Sequence, residues 1–473
     1  MAMVRPLSIW RFAVLAGISI LSSGCMNLSG ERPKATIPAV SAVPDQAVSA
    51  ERERLVATFG GEYRAPGPVL DLVREIVERV VASSDDPNAH YRVAILNSAS
   101  INAFALPTGD IYVTRGLLAL ANDTSELAAV LAHEVGHVTA KHAAQRAEFE
   151  KLASSSMPDP IGGTTSANSR FLLASFSRGQ ELEADEIGIR TIAKAGYDPY
   201  GSARFLSSLA RQTSFSGETR PAARFSFLSS HPSTPQRMAA ALEVARGSVS
   251  PSAIEADRVR YLTALNGLSY GDDPSGGVIR GRRFLHPRLD FTLLAPEGFV
   301  LENSAQAVVG IAANGNQAMR LDTVQAGVAN LEASLAAGWI ENAPSTDITP
   351  FSVGGFTGAT AIAKGPEWTF RLAALQKGDQ IFRIIFAARD LTPALDRAFL
   401  AAIGSFRSLA PDEMNSLRPQ RISVVTANAE DTASSLATKN DSGDQALDRF
   451  LMINGLDRPK IKPDELYKII VTD

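Results

Sequence analysis

The sequence predicts an α+β protein built from three folded parts, and three observations predict it. First, Leu127, Val130, Leu131, Val135 and Val138 recur at helical spacing around His133-Glu134-Val135-Gly136-His137. Second, Arg371 to Gln376 and Gln380 to Phe386 flank Lys377-Gly378-Asp379 as the arms of a β-hairpin. Third, beyond Pro411 and Pro419 the signals run strand, helix, helix, strand. The length of 473 residues allows several domains. An apolar fraction of 45% and a charged fraction of 20% are those of an ordinary globular chain. A net charge of −4 makes no case for a nucleic-acid partner.

Residues 1 to 25 read as an export signal. Arg5 and Arg11 accompany an apolar run from Phe12 to Leu21, too short to span a bilayer. Cys25 is the sole cysteine, so no internal disulfide exists. Residues 26 to 50 are rich in Pro, Ala and Ser and read as a flexible tether.

The part from 51 to 250 carries the chemistry. Glu51 to Ala82 is predicted to be largely helix, and Tyr91 to Leu96 a strand. Asn102 to Leu106 and Asp110 to Thr114 form a hairpin around Pro107-Thr108-Gly109. Ile111, Tyr112, Val113 and Thr114 are the candidate edge strand for pairing with an extended peptide. A plain core strand is the competing reading.

Asp123 caps the next helix, with Glu126 three residues on reaching back. His133 and His137 lie one turn apart on one face, close enough to hold one metal ion. Glu134 follows the first of them, so its carboxylate reaches a metal-bound water and serves as general base. Gly136 inside a helix costs roughly 1 kcal/mol against Ala, which implies close packing there. His142, nine residues past His133, falls on the opposite side of a continued helix.

A zinc site needs a third protein ligand. Glu181, Asp185 and Gly188 share one face of a helix around Glu181-Leu182-Glu183-Ala184-Asp185. Glu181 is the candidate ligand. Asp185, one turn on, would accept the free ring N–H of a ligand His. Glu183 points elsewhere. Residues 154 to 169 read as a loop that could act as a lid. The second ligand helix ends at Gly196, and further helices are predicted at 200 to 213 and 235 to 246. A connecting helix and linker occupy 251 to 280. The part from 281 to 409 reads as α+β without a catalytic constellation, and 421 to 473 as a small closing module.

These motifs carry a resemblance. His133-Glu134-Val135-Gly136-His137, Ser177-Arg178 before Glu181-Leu182-Glu183-Ala184-Asp185, Asn102 to Leu118 and Ser229-Ser230-His231-Pro232 with Arg237 resemble gluzincin zinc metalloproteases of the CAAX-prenyl-protease/HtpX/BepA type. The resemblance covers roughly residues 51 to 247. It implies a zinc endopeptidase with one Zn2+ per chain, held by His133, His137 and Glu181. It also implies action on misfolded or unassembled proteins of the bacterial cell envelope. Leu21-Ser22-Ser23-Gly24 before Cys25 resembles a lipoprotein signal, which implies lipidation of Cys25 and an outer-membrane anchor in the periplasm. Ordinary signal cleavage would instead leave a soluble periplasmic protein. The closing module resembles LysM, a βααβ unit whose implied partner is peptidoglycan; a LysM-like packing module is the competing reading.

His231 has two functional readings. With Arg237 it could stabilise the oxyanion of a tetrahedral intermediate. Neutral, it could fill the fourth position on zinc as a latch, which the resemblance favours. A loop His that merely caps a helix is the plain alternative. The rival to proteolysis is a latent metalloprotease-fold chaperone or scaffolding factor.

Overall fold

The computed structural model describes residues 52–472 apart from 147–175, 217–226, 228–230, 249–257, 327–329, 440–444 and positions 54, 66, 107, 233–234, 305 and 313–314. The export signal, Cys25, the tether and the 154–169 loop therefore lie outside the described residues. The architecture is mixed α+β, with a helical first part followed by sheets.

The expected helix from Glu51 to Ala82 is interrupted. Gly60 and Gly61 take φ of +85° and +87°, a turn that L side chains resist, and a Cβ on Gly60 would meet Asn97 O at 2.5 Å. Helix α1 begins only at Val69 (Val69–Ser83) and buries Val69, Leu72, Val73, Ile76, Val77 and Val80 on one side.

Strands β1 (Arg92–Leu96), β2 (Ala103–Leu106) and β3 (Asp110–Thr114) form a three-stranded sheet in the order β1-β3-β2. β3 is parallel to β1 and antiparallel to β2. Ile111, Tyr112, Val113 and Thr114 are thus central and buried, not an edge. The parallel pairing with β1 removes the free side expected there, and the edges of the sheet are β1 and β2.

Helix α2 (Arg115–Leu120) leads into α3 (Thr124–Thr139). The Asp123 side chain accepts from Glu126 N at 2.8 Å, as the capping pattern predicts. Glu126 Oε2 reaches one residue further back than expected, to Asn122 N at 3.0 Å. Nearly all of α3 is buried, so it runs through the core of this part. Helix α4 (Arg178–Lys194) starts with a capping box of Ser177 and Gln180 and stops before Gly196, whose φ is +80°. It packs along α3, and α5 (Gly201–Ser216) and α6 (Pro235–Gly247) close the bundle.

The part from 281 to 409 contains a seven-stranded antiparallel sheet, with Ser345–Val353 at one edge and Phe299–Asn303 at the other, and two strands of a separate three-stranded sheet, Arg283–His286 and Phe291–Leu294. The helix Pro393–Gly404 packs Phe399 and Ile403 onto one face with Phe382, Ile384 and Phe386. On the other face, Leu331 and Leu335 of Leu331–Ala336 meet Ala361, Leu372 and Ile385. The hairpin around Lys377-Gly378-Asp379 is present, pairing Thr369–Lys377 with Gln380–Ala388.

The closing module has the expected order. Strand Gln420–Thr426 pairs antiparallel with Leu466–Thr472, and helices Ala433–Thr438 and Ala446–Ile453 lie between them in sequence. It is not a free appendage. Ile422, Met452, Ile453 and Ile470 belong to the same apolar core as α1 and α3. The fully buried Lys468 donates to Ala119 O at 2.7 Å and Ala121 O at 2.8 Å, at the junction of α2 and α3.

Candidate metal centre

One helical turn on α3 places His133 Nε2 and His137 Nε2 3.0 Å apart. Glu181 reaches them from the first turn of α4, with its oxygens 3.6 Å from His137 Nε2 and 3.7 Å from His133 Nε2. His231 comes from the segment before α6. Its backbone N–H donates to Phe227 O at 2.7 Å, and Phe227 N in turn donates to Ile101 O at 2.8 Å, which ties that segment to the start of β2. His231 Nδ1 lies 3.2 Å from His133 Nε2 and 2.9 Å from Glu181 Oε1. The four donor atoms all fall within 4.8 Å of one another, and all four residues are buried.

These separations suit one tetrahedral ion. Bonds of about 2.1 Å to a tetrahedral Zn2+ imply donor–donor edges of about 3.4 Å. Burial pushes His133 and, further, His137 toward the neutral ring, and it takes His231 down to about 3. Neutral imidazole is the form that ligates. Burial raises the Glu181 carboxyl, and a cation would reverse that. Glu134 Oε1 is buried without a hydrogen-bond partner among the described residues; His231 Nε2 stands 3.5 Å away. A buried carboxylate oxygen left so is costly unless something polar fills the space beside it.

Each candidate ligand is oriented from behind. His133 Nδ1 faces Asp185 Oδ1 at 2.9 Å, as Asp185's position one turn past Glu181 predicts. Burial opposes ionisation of Asp185, but hydrogen bonds from Arg237 and His133 hold it down at about 2. Arg237 is where the structure departs from expectation. Its Nε and Nη2 bond the Asp185 carboxylate at 2.7 and 2.8 Å, and its Nη1 lies 3.1 Å from Pro232 O and 2.7 Å from Glu181 Oε2. A guanidinium so committed, and only 2% exposed, is a brace for Glu181 and Asp185 rather than a free oxyanion donor.

Glu134 lies beside the cluster. Burial, then the Glu181 charge, push its carboxyl well up, and the Ala105 backbone N–H donates to it. That bond places the edge strand β2 alongside the general-base candidate. Phe176 stacks on His137 at 4.0 Å between centroids and Phe227 on His231 at 4.6 Å. Neither aromatic carries a periodic signal that sequence reasoning could read.

His142 was excluded as a ligand on the assumption of a continued helix. The helix stops at Thr139 and Lys141 takes φ +58°, so His142 returns against His137. It is outside the four-residue cluster, yet its Nδ1 is 2.9 Å from His137 Nδ1.

Residues 71–245 match peptidase family M48. This segment is an M48 peptidase domain. The M48 domain holds every residue of the cluster. A beta-barrel assembly-enhancing protease of Yersinia pestis is 28% identical over 227 residues, 42% of this chain and 46% of that protein. A mitochondrial metalloendopeptidase of Schizosaccharomyces pombe is 32% identical over 179 residues, 36% of this chain and 51% of that one. The beta-barrel assembly-enhancing protease of Escherichia coli K12 is 29% identical over 201 residues, 39% and 40% of the two chains. The chain thus spans about half, or less, of the curated relatives it matches. Among solved structures, a cyanobacterial PsbP from Synechocystis aligns over 27% of this chain and 92% of its own, with 9% identity and a TM-score of 0.23.

Proposed function

We propose that this protein is a zinc-dependent endopeptidase of the bacterial cell envelope that acts on misfolded or unassembled envelope proteins. The observation that carries the reading is the convergence of His133, His137, Glu181 and His231 on one point, with the Glu134 carboxylate beside it. His133, His137 and Glu181 would hold the metal, braced by Asp185 and Arg237. Bound zinc would supply Lewis-acid polarisation of the scissile carbonyl and of water. Glu134 would take the proton from the attacking water and return it to the leaving amine.

An extended substrate would add to the free edge of β2, Ala103 to Leu106, in place of the central strand Ile111 to Thr114. The Ala105 N–H beside Glu134 supports this. The position of His231 Nδ1 among the metal donors supports the latch reading, in which the imidazole keeps water from the fourth position until substrate displaces it. Transition-state stabilisation by His231 is the second reading, favoured by its Nε2 lying 3.5 Å from Glu134.

The names of the relatives support a protein substrate and, for the bacterial ones, an envelope setting. No helix among the described residues is long and apolar enough to cross a membrane. A lipid on Cys25 is the proposed anchor, and intact-mass analysis of the mature N-terminus reads it directly. The proposed domain limits are 51–250 for the protease, 251–280 for the connection, 281–409 for the sheet domain and 421–473 for a LysM-like module. That module's βααβ order supports the LysM likeness, and its shared core with α3 favours packing over glycan binding.

Purified protein should degrade an unfolded substrate such as casein, stop in chelator and resume with zinc. Cleavage that persists in chelator would sink the proposal. Substrate binding without cleavage, even by zinc-loaded His231→Ala, would favour a latent chaperone or scaffold instead.

A further inference from the structure

We propose that His142 and Glu183 form a positioning pair that fixes the tautomer of His137 and thereby sets metal affinity; this rests on the zinc reading above. Neither residue belongs to the donor cluster. His142 is fully buried, its ring edge-on to His137 with centroids 4.9 Å apart. Its backbone carbonyl accepts from Gln180 Nε2 at 3.4 Å, which fastens the segment to α4.

The proton positions follow from three distances. His137 presents Nε2 to the cluster, 3.0 Å from His133 Nε2, so that nitrogen must keep its lone pair to ligate. The ring proton of His137 then sits on Nδ1. His137 Nδ1 is 2.9 Å from His142 Nδ1, and two such atoms bond only if one of them carries a proton. His142 Nδ1 must therefore accept, which places the His142 proton on Nε2. There Glu183 Oε2 waits at 3.3 Å to accept it.

The opposite arrangement is disabling. If His142 kept its proton on Nδ1 and donated to His137, the His137 proton would move to Nε2 and the ligand lone pair would be lost. Glu183 favours the productive arrangement because a carboxylate accepts and cannot donate. His133 receives its carboxylate directly, from Asp185. His137 receives one through an imidazole. The geometry depends on the left-handed Lys141, which ends the helix and brings His142 back to His137.

Competition with a chromophoric chelator measures zinc affinity without reference to activity. His142→Ala should weaken zinc binding by about 10- to 100-fold. His142→Asp restores an acceptor for His137 Nδ1 and should recover most of that loss. Glu183→Ala should weaken binding by a smaller factor, since the Glu183 side chain is 60% exposed and water can replace it. Circular dichroism of the metal-free forms checks that each variant folds. His142→Ala binding zinc as tightly as the parent would overturn the proposal. Equal loss in His142→Ala and His142→Asp would also overturn it, since only packing would then matter. A parent protein that binds no zinc would remove both this proposal and the reading beneath it.

Discussion

A Cβ placed on Gly188 would come within 3.0 Å of the backbone nitrogen of His133. Helices α3 and α4 therefore cross at backbone contact beside the candidate ligand His133. Gly136 makes the reciprocal approach, where a Cβ would stand 3.3 Å from Ala184 O. This crossing lets the short Glu181 and Asp185 side chains reach the face of His133 and His137.

Gly188→Ala should expose the cost of that crossing. Helix propensity alone would favour Ala by about 1 kcal/mol. The steric conflict with α3 should outweigh it, lowering the denaturation midpoint and zinc content together. A variant more stable than the parent and fully zinc-loaded would show that the close crossing is dispensable.

His231→Ala separates the two roles of that residue by sign. As a latch, its loss raises basal cleavage of casein and of the protein itself. As a transition-state stabiliser, its loss lowers kcat by roughly 10²-fold with little change in KM. The donor geometry predicts the rise. Unchanged kinetics would remove both roles.

Lys468→Met tests whether the closing module is part of the protease core. The change keeps the bulk but leaves the carbonyls of Ala119 and Ala121 without their donor. Unsatisfied buried acceptors cost about 1–3 kcal/mol, so the chemical denaturation midpoint should fall accordingly. Stability equal to the parent would mean that the junction of α2 and α3 is held by other contacts.

Much of the site was legible because its signals are local. His133, Glu134 and His137 announce themselves by one-turn spacing, and Asp185 follows Glu181 by the same rule. Gly136 was readable as a close-packing position, whereas Gly188 was placed only on the face of Glu181 and Asp185. What stayed hidden depends on long-range pairing or on one backbone angle. Nothing in the identity of Lys141 signals φ +58°, so His142 looked misplaced. The pairing of β1 with β3 is parallel across intervening chain, and no local pattern shows that Ile111 to Thr114 has neighbours on both sides. Lys468 sits in an apolar strand like any solvent-facing lysine, and only the docked module reveals its two carbonyl partners. The break at Gly60 and Gly61 was visible as residues but overridden by the helical pattern after Leu70.

Glu134→Gln is the most direct test of the account as a whole. The substitution keeps the shape of the side chain and removes its basicity. The variant should retain zinc through His133, His137 and Glu181, measured by metal analysis, and lose casein cleavage by at least about 10²-fold. Near-parental cleavage by a zinc-loaded Glu134→Gln protein would contradict the mechanism.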